Sequence, residues 1–338
     1  SITASDKAGT SVALNTSGTL AMVGAPDLGA GVVTPYLRSE GGALVESTLV
    51  SIATIGDSVD GFGFSVDSSI DYAVVGAPET ESLRGAVFTY YIDGLGTFSR
   101  RPSLRPTGLS DGHRFGHSVA MSRNGRHLFA SAPGATGGVV YAYTLIEIND
   151  SNKFVKTVTG DASATAFALG FTPLSIQALN VTDENGKVYL PTKDFTISGT
   201  NITFTATPAN GLDIVIRQED YFAEIGILKG HDVLAGDNFG WNIDCDYEGR
   251  NIIIGAPDAD IANTDSTVLT SAGEVYIFAQ TVERFIGDGS TKAFTTQDTL
   301  QTKVYVEVDG VLQTETNNPD IPTDNDGSSD GFYTRATN

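Results

Sequence analysis

Residues 115–144 read FGHSVAMSRNGRHLFASAPGATGGVVYAYT, and this order of features recurs along the chain. An aromatic-Gly pair opens the stretch, followed by alternating small and apolar residues, a turn, an apolar run closed by Ala-Pro, and a Gly-led segment ending in tyrosines. Three further copies start near residues 8, 62 and 239. The motif Gly and the Pro lie 17, 15, 17 and 17 residues apart in the pairs Gly9–Pro26, Gly63–Pro78, Gly116–Pro133 and Gly240–Pro257. Four copies at nearly fixed spacing indicate a repeat protein.

Each copy carries the patterns of short β-strands. Phe64 and Val66 alternate with Ser65 and Asp67, which gives the period of two expected of a strand with one buried face. The later runs, at residues 20–24, 72–76 and 252–255, are continuously apolar, as expected of strands covered on both sides. The Pro that follows ends each run because it has no N–H for a β-ladder. We therefore predict an all-β fold, and we favour a propeller over a β-sandwich because a sandwich requires no recurring Ala-Pro.

The repeat resembles the FG-GAP family, the blades of the integrin α-subunit head and of many secreted and viral proteins. The residues that carry the resemblance are Phe62-Gly63, Phe115-Gly116 and Phe239-Gly240, with Gly24-Ala25-Pro26, Gly76-Ala77-Pro78 and Gly255-Ala256-Pro257. Two positions depart from the pattern, Ala8-Gly9 at the first copy and Ser131-Ala132-Pro133 at the third. The resemblance covers roughly two thirds of the chain and implies that each repeat forms a four-stranded antiparallel β-propeller blade.

The spacing between repeats predicts an insertion in the third blade. Pro78 and Pro133 lie 55 residues apart, whereas Pro133 and Pro257 lie 124 apart. We predict that strand three of this blade covers residues 139–145 and strand four residues 221–228. The predicted organisation is then residues 1–146 for blades 1, 2 and part of 3, 147–220 for an inserted β-sandwich-like module, 221–281 for the end of blade 3 and blade 4, and 282–338 for a second, incomplete insert module.

The second insert module is predicted from a sequence match. Residues 159–167 read TGDASATAF and residues 286–294 read IGDGSTKAF. Modules of this kind resemble the small β domains of bacteriophage tail-fibre and other virion proteins. Because the second copy lacks a returning strand, we expect the chain to be part of a longer protein, or its ring to be completed by other chains.

Composition excludes several classes of function. The formal net charge is −21, which would repel nucleic-acid phosphates. The sequence contains no apolar run long enough for a membrane span. Cys245 is the only cysteine, so no intramolecular disulfide forms, and we expect a buried free thiol.

We predict no catalytic, cofactor-binding or metal residues. In the FG-GAP family some blades carry a calcium loop between strands one and two, but the matching turns near residues 15, 67, 124 and 246 lack the oxygen ligands that calcium requires. Acidic clusters at 258–265 and 324–330 remain open as calcium sites, although solvated loops are the favoured interpretation. Neither the spacing of the four histidines nor the surroundings of Ser118 matches a metal site or a nucleophile elbow.

The expected function is that of a non-enzymatic structural and adhesion protein of a virus particle, a phage tail or fibre component acting in assembly or host attachment. The expected location is the virion, outside the cell. Expected partners are other virion subunits, including further copies of this chain, and a host surface glycan or protein. The alternatives are an extracellular cell-adhesion or matrix protein with an integrin-like propeller, and the accessory region of a larger secreted enzyme. Four unclosed blades should also leave two apolar faces uncovered.

Overall fold

The computed structural model describes residues 6–38, 42–46, 50–51, 61–93, 96–230, 232–262, 268–279, 307–308 and 311–312. The chain divides into two compact units, Ser1–Ala279 and Gln280–Asn338. The described residues form antiparallel β-sheets joined by turns and a few short helical turns, which confirms the predicted all-β class. Within them, no helix is long and apolar enough to cross a membrane.

Blade 1 is built on three long antiparallel strands. They are β1 (Ser11–Leu14), β2 (Leu20–Ala25) and β3 (Val32–Arg38), with β4 (Leu44–Glu46) and β5 (Val50–Ser51) both paired to β3. The outer edge of blade 1 is therefore formed by two short strands. Glu46 lies opposite Tyr36 and Val50 opposite Val33, so the outer segment holds one residue more than β3 between these pairs. One extra residue breaks a continuous ladder.

Blade 2 is a regular four-stranded sheet. Its strands follow chain order as β6 (Ser65–Ser68), β7 (Tyr72–Ala77), β8 (Ala86–Ile92) and β9 (Phe98–Arg100). Every residue of β7 is buried, as predicted for a strand covered on both faces. A short irregular turn at Thr80–Leu83, with positive φ at Glu81, Ser82 and Leu83, connects β7 to β8.

Blade 3 is interrupted by a separate module. Its strands β10 (Val119–Met121), β11 (His127–Ala132) and β12 (Val139–Ile146) are completed by β20 (Tyr221–Leu228), which pairs with β12. The intervening residues form two small sheets around Phe195, Ile202 and Ile216. These sheets contain β13 (Phe154–Thr159), β14 (Ala166–Ala168), β15 (Leu179–Asp183), β16 (Val188–Tyr189), β17 (Phe195–Ser198), β18 (Asn201–Phe204) and β19 (Asp213–Gln218).

Blade 4 has three described strands, β21 (Asn242–Cys245), β22 (Asn251–Ala256) and β25 (Glu274–Ala279). A two-residue ladder joins β23 (Ile261–Ala262) to β24 (Val268–Leu269) between β22 and β25. In the second unit, β26 (Glu307–Val308) pairs with β27 (Val311–Leu312). The remainder of the predicted second insert module at 282–338 lies outside the described residues.

The aromatic-Gly pairs of blades 2, 3 and 4 each dock on the blade before. The N–H groups of Phe62, Phe115 and Phe239 donate to the carbonyls of Ala30, Arg84 and Gly137, at 3.3, 3.0 and 3.3 Å. The rings of these phenylalanines pack on aromatic residues of their own blades, Phe88, Tyr141 and Tyr276. Each ring also belongs to a buried cluster that contains residues of the preceding blade, so the motif joins consecutive blades through both its backbone and its ring.

Candidate functional site

The inner ends of the four blades meet at an open cleft of about 340 Å³. The residues that line it come from equivalent places in the four repeats, namely the two or three positions after each motif glycine. They are Thr10, Ser11, Val12, Phe64, Ser65, Val66, His117, Ser118, Val119, Trp241 and Asn242. Repetition of the blade thus brings together side chains that lie far apart in the sequence.

Three aromatic side chains form one wall of this cleft. The His117 ring lies 4.4 Å from the Trp241 ring and 4.9 Å from the Phe64 ring. His117 Nδ1 lies 3.2 Å from the carbonyl oxygen of Trp241 and, as the N–H tautomer, donates to it. Burial lowers the pKa of His117 below its usual value, so the imidazole is neutral near pH 7. Trp241 remains 38% exposed and gives the cleft a flat apolar surface.

The serines beside these aromatic residues hold the blades together. Ser11 Oγ donates to the Gly63 carbonyl and Ser65 Oγ to the Gly116 carbonyl, each at 2.8 Å. Ser118 Oγ accepts the Ile243 N–H at 3.1 Å. These contacts use the hydroxyls between neighbouring blades, and they do not align Ser118 with the His117 imidazole as a nucleophile and base would require.

Asp67 lies on the same inner strands and is the most perturbed carboxyl of the described region. Its two oxygens accept the Met121 N–H at 2.7 Å and the Ser68 N–H at 2.8 Å. Burial raises its pKa to about 6, against the lowering effect of these two hydrogen bonds and of Arg123. Asp67 therefore joins blade 2 to blade 3 and titrates in the weakly acidic range.

Cys245 departs from the prediction of a buried thiol. It lies on β21 with intermediate exposure and packs against the buried cluster shared by blades 3 and 4. Burial, followed by the nearby Asp67 carboxylate, raises the pKa of its thiol to about 12. The thiol is therefore protonated and weakly nucleophilic at neutral pH.

The polar side chains in the turns between strands one and two bond to their own turns. Asn15 Oδ1 accepts the N–H groups of Thr19 and Leu20. Asp246 Oδ1 accepts the Arg250 N–H, and Oδ2 accepts Asn251 Nδ2. These contacts stabilise the hairpins.

The two acidic clusters left open by the sequence are described only in part. Asp258 accepts Asn238 Nδ2 at 2.6 Å and Asp260 accepts the Ser271 N–H at 2.8 Å. Residues 263–267 and 324–330 lie outside the described residues. Among those that are described, no group of three or more His, Cys, Asp and Glu side chains is arranged to hold a metal ion.

An ion network fastens the inserted module to blade 2. Glu81 Oε1 lies 2.6 Å from Lys193 Nζ of the module, and Glu81 Oε2 lies 2.5 Å from Arg105 Nη2. Burial alone would raise the pKa of Glu81, but the hydrogen bonds from Arg105 and Lys193 outweigh it and the pKa is lowered. A second pair, Arg101 and Glu219, lies 2.5 Å apart.

Apolar packing adds to this attachment. Val188 and Leu190 of the module belong to the same buried cluster as Tyr90 and Ile92 of blade 2. Asn180 Nδ2 also donates to the Arg100 carbonyl at 3.1 Å. The module and blade 2 therefore share a core, and the module is not tethered by its ends alone.

The sequence interpretation did not single out the aromatic wall of the cleft. The repeat pattern nevertheless marks these residues, because one side chain directly follows each motif glycine: Thr10, Phe64, His117 and Trp241. Equivalent positions of a propeller repeat converge on the central axis. A comparison of the repeats position by position would have placed these four side chains together.

Comparisons with known proteins leave the family of this chain open. No family model matches, and no curated protein matches. Among solved structures, the periplasmic gluconolactonase PpgL of Pseudomonas aeruginosa is similar over 79% of this chain and 72% of its own, with 13% identity and a TM-score of 0.33. A Lactobacillus plantarum protein is similar over 80% of this chain and 71% of its own, with 12% identity and a TM-score of 0.32.

A third structure, the hydrazine synthase of Kuenenia stuttgartiensis, covers 73% of this chain and 61% of its own, with 15% identity and a TM-score of 0.31. Likeness at this level transfers neither an activity nor a substrate to this chain. Function is therefore argued below from the geometry of the blades, the module and the cleft.

Proposed function

We propose that this chain is an FG-GAP-type propeller protein that serves as a non-enzymatic structural and adhesion component of a virus particle, in a phage tail or fibre. The observation that carries the proposal is the shared core between the inserted module and blade 2, through Leu190 and the Glu81–Lys193 ion pair. A module fastened in this way holds a fixed position on the blades. Fixed presentation of a β module suits assembly and attachment, and several copies of the chain on one particle would make the attachment multivalent.

The cleft supports the adhesion part of the proposal. Trp241 and Phe64 offer apolar ring surface, and Thr10, Ser11 and Asn242 place polar groups beside it. Convergent aromatic and polar side chains in a concave site are typical of small-ligand binding. A sugar ring has an apolar face and hydroxyl groups at its edge, so the proposed ligand is a host surface glycan.

The chemistry of the cleft supports a non-enzymatic role. Ser118 Oγ and His117 Nδ1 contact the backbone of blade 4, and the Cys245 thiol is protonated. Asp67 is engaged by two backbone N–H groups. Ser118, His117 and Asp67 therefore each make a contact between neighbouring blades.

Location on the particle tests the virion part of the proposal. Antibodies against the inserted module should label intact, purified particles at the tail in immunogold electron microscopy. Antibodies against a capsid-interior protein serve as the control for particle integrity. Absence of this chain from purified particles by mass spectrometry would overturn the proposal.

Glycan binding tests the adhesion part. The Trp241→Ala variant should bind glycans that the unaltered protein captures on a glycan array about tenfold more weakly or worse, because an aromatic anchor is lost. Tyr247→Ala is the matched control, since Tyr247 is a 58% exposed aromatic residue of blade 4 that does not line the cleft. Equal binding by the two variants would contradict the assignment of the cleft.

A further inference from the structure

Most hydroxyl groups that line the cleft use their hydrogens inside the protein. The side chains of Thr10, Ser11 and Ser65 each donate to a backbone carbonyl, at 2.7, 2.8 and 2.8 Å. A hydroxyl has one hydrogen and two oxygen lone pairs, so these oxygens can only accept a hydrogen bond from a ligand. Three lining hydroxyls are therefore acceptors toward the cleft.

The His117 imidazole adds a fourth acceptor. Its Nδ1 donates to the Trp241 carbonyl oxygen at 3.2 Å, which places the hydrogen of the ring on Nδ1. Burial lowers the pKa of His117 and keeps the ring neutral near pH 7, so Nε2 carries a lone pair and no hydrogen. The aromatic wall thus combines ring surface with an acceptor nitrogen.

Few donors remain among the lining side chains. The Ser118 hydroxyl accepts the Ile243 N–H at 3.1 Å and keeps its own hydrogen for a ligand. The other donors are the Asn242 amide and the Trp241 indole. Among the described residues that line the cleft, none is Lys or Arg, the side chains that pair with anionic groups. The cleft is therefore rich in acceptors and has no cation.

The charges next to the cleft are mainly negative. Asp67 on β6 and Asp244 on β21 each lie within two residues of a lining residue. Asp67 lies close enough to Asp244 and Arg123 for their charges to interact with it, and Arg123 also donates to the Leu14 carbonyl at 3.3 Å. The chain as a whole has a formal net charge of −21. An anionic ligand is therefore disfavoured both by the nearby carboxylates and by the field of the whole chain.

We propose that the cleft binds an uncharged saccharide, whose hydroxyls donate to the acceptors of Thr10, Ser65 and His117, and that it rejects acidic saccharides. The inference rests on the proposed glycan binding and names the class of glycan. A sugar hydroxyl can donate to an acceptor, whereas carboxylate and sulfate oxygens can only accept. An acidic group in the cleft would lose its hydration and leave protein acceptors unpaired.

A glycan array with matched pairs tests this selectivity on the unaltered 338-residue protein. Each pair holds a neutral saccharide and the same saccharide with one carboxylate or one sulfate group. Within the pairs that bind, the neutral member should bind at least about tenfold more tightly. Equal binding, or a preference for the acidic member, would overturn the inference and leave the glycan proposal standing. Binding of no saccharide would overturn the glycan proposal, and the inference with it.

The Asn242→Lys variant tests whether the lack of a cation sets the selectivity. Asn242 is exposed, so the substitution adds a positive charge to the cleft and leaves no cavity. The variant should bind acidic saccharides about fivefold more tightly than the unaltered protein or better, since two opposite charges a few ångströms apart in water gain about that factor. Isothermal titration calorimetry with one matched pair measures the change.

Val155→Lys is the matched control for the added charge. Val155 is 69% exposed on β13 of the inserted module and does not line the cleft. This variant should keep the preference of the unaltered protein for the neutral member of the pair. Equal gains in the two variants would assign the rejection of acidic saccharides to the net charge of the chain and overturn the inference. So would an Asn242→Lys variant that gains no affinity for the acidic member.

Discussion

Gly116 shows at the scale of one residue how closely the blades approach. Its φ is +87°, and an added Cβ would lie 2.7 Å from the Ala86 carbonyl oxygen of the preceding blade. Gly108 has nearly the same φ, +85°, but a Cβ there meets nothing within 4 Å. The two glycines thus have nearly the same φ but differ in their contact with a neighbouring blade.

Substitution of these glycines should therefore have unequal effects. Gly108→Ala should lower the free energy of unfolding by about 1–2 kcal/mol, the cost of a left-handed conformation for a residue with a Cβ. Gly116→Ala should cost at least about 2 kcal/mol more, since overpacking displaces the neighbouring blade. Urea unfolding measures both values. Equal losses of unfolding free energy in the two variants would show that the close approach of blades 2 and 3 does not add to the cost of a Cβ at Gly116.

The raised pKa of Asp67 predicts how the stability of the folded protein changes with pH. Its folded pKa of about 6 lies above the usual 3.8, so the folded state binds the proton more tightly than the unfolded state. The stability contributed by this proton is complete below about pH 4 and is lost as the pH rises through about 6, with a total loss of up to about 3 kcal/mol.

The Asp67→Asn variant isolates this titration because it carries no ionisable group at that position. As the pH rises from about 4 to about 7.5, the unfolding free energy of the unaltered protein should fall by up to about 3 kcal/mol relative to that of Asp67→Asn. Asp71→Asn, at an exposed turn position, is the control. Parallel pH profiles for the unaltered protein and Asp67→Asn would contradict the assigned shift.

At the scale of elements, the strands of the blades followed from the sequence and the docking of the module did not. Strand β20 begins and ends at the predicted residues 221 and 228, because β-branched and aromatic residues between turn signals mark a strand locally. Leu190 and Lys193 gave no comparable signal. Periodicity indicates that a residue is buried but not which distant element buries it, and both residues contact blade 2 from about 100 positions away.

The shared core makes Leu190 a test of the attachment. Leu190→Ala should lower the free energy of unfolding of the blades by about 2–5 kcal/mol, the usual cost of a cavity at a fully buried leucine. Trp241 is the only tryptophan and lies in blade 4, so its fluorescence follows the blades. Leu169→Ala, confined to the core of the module, is the control. A Trp241 transition that responds to neither variant would show that module and blades unfold independently.

Deletion of residues 150–219, which form the inserted module, tests whether the blades fold without it. Strands β12 and β20 pair directly, so a short Gly-Ser turn can join their ends. We expect the blades to remain folded but to melt at a lower temperature, because Tyr90 and Ile92 lose their cover. Loss of the β circular-dichroism signal at room temperature would show that the blades require the module.

At the scale of the whole molecule, stability should be independent of calcium in the described blades. Asn15 and Asp246 accept hydrogen bonds within their own turns, and neither turn offers the six to eight oxygen ligands that calcium takes. Addition of a chelator should therefore leave the thermal midpoint nearly unchanged. A fall of more than a few degrees that calcium restores would contradict this account of the turns.

The central claim is that the inserted module is fixed to blade 2 and forms one compact unit with the blades. An experimental structure of the 338-residue protein tests it most directly, because it shows the contacts between module and blade. The account predicts an ion pair between Glu81 and Lys193, with Leu190 buried in one cluster with Tyr90 and Ile92. A structure in which Lys193 and Leu190 face solvent, away from blade 2, would contradict it.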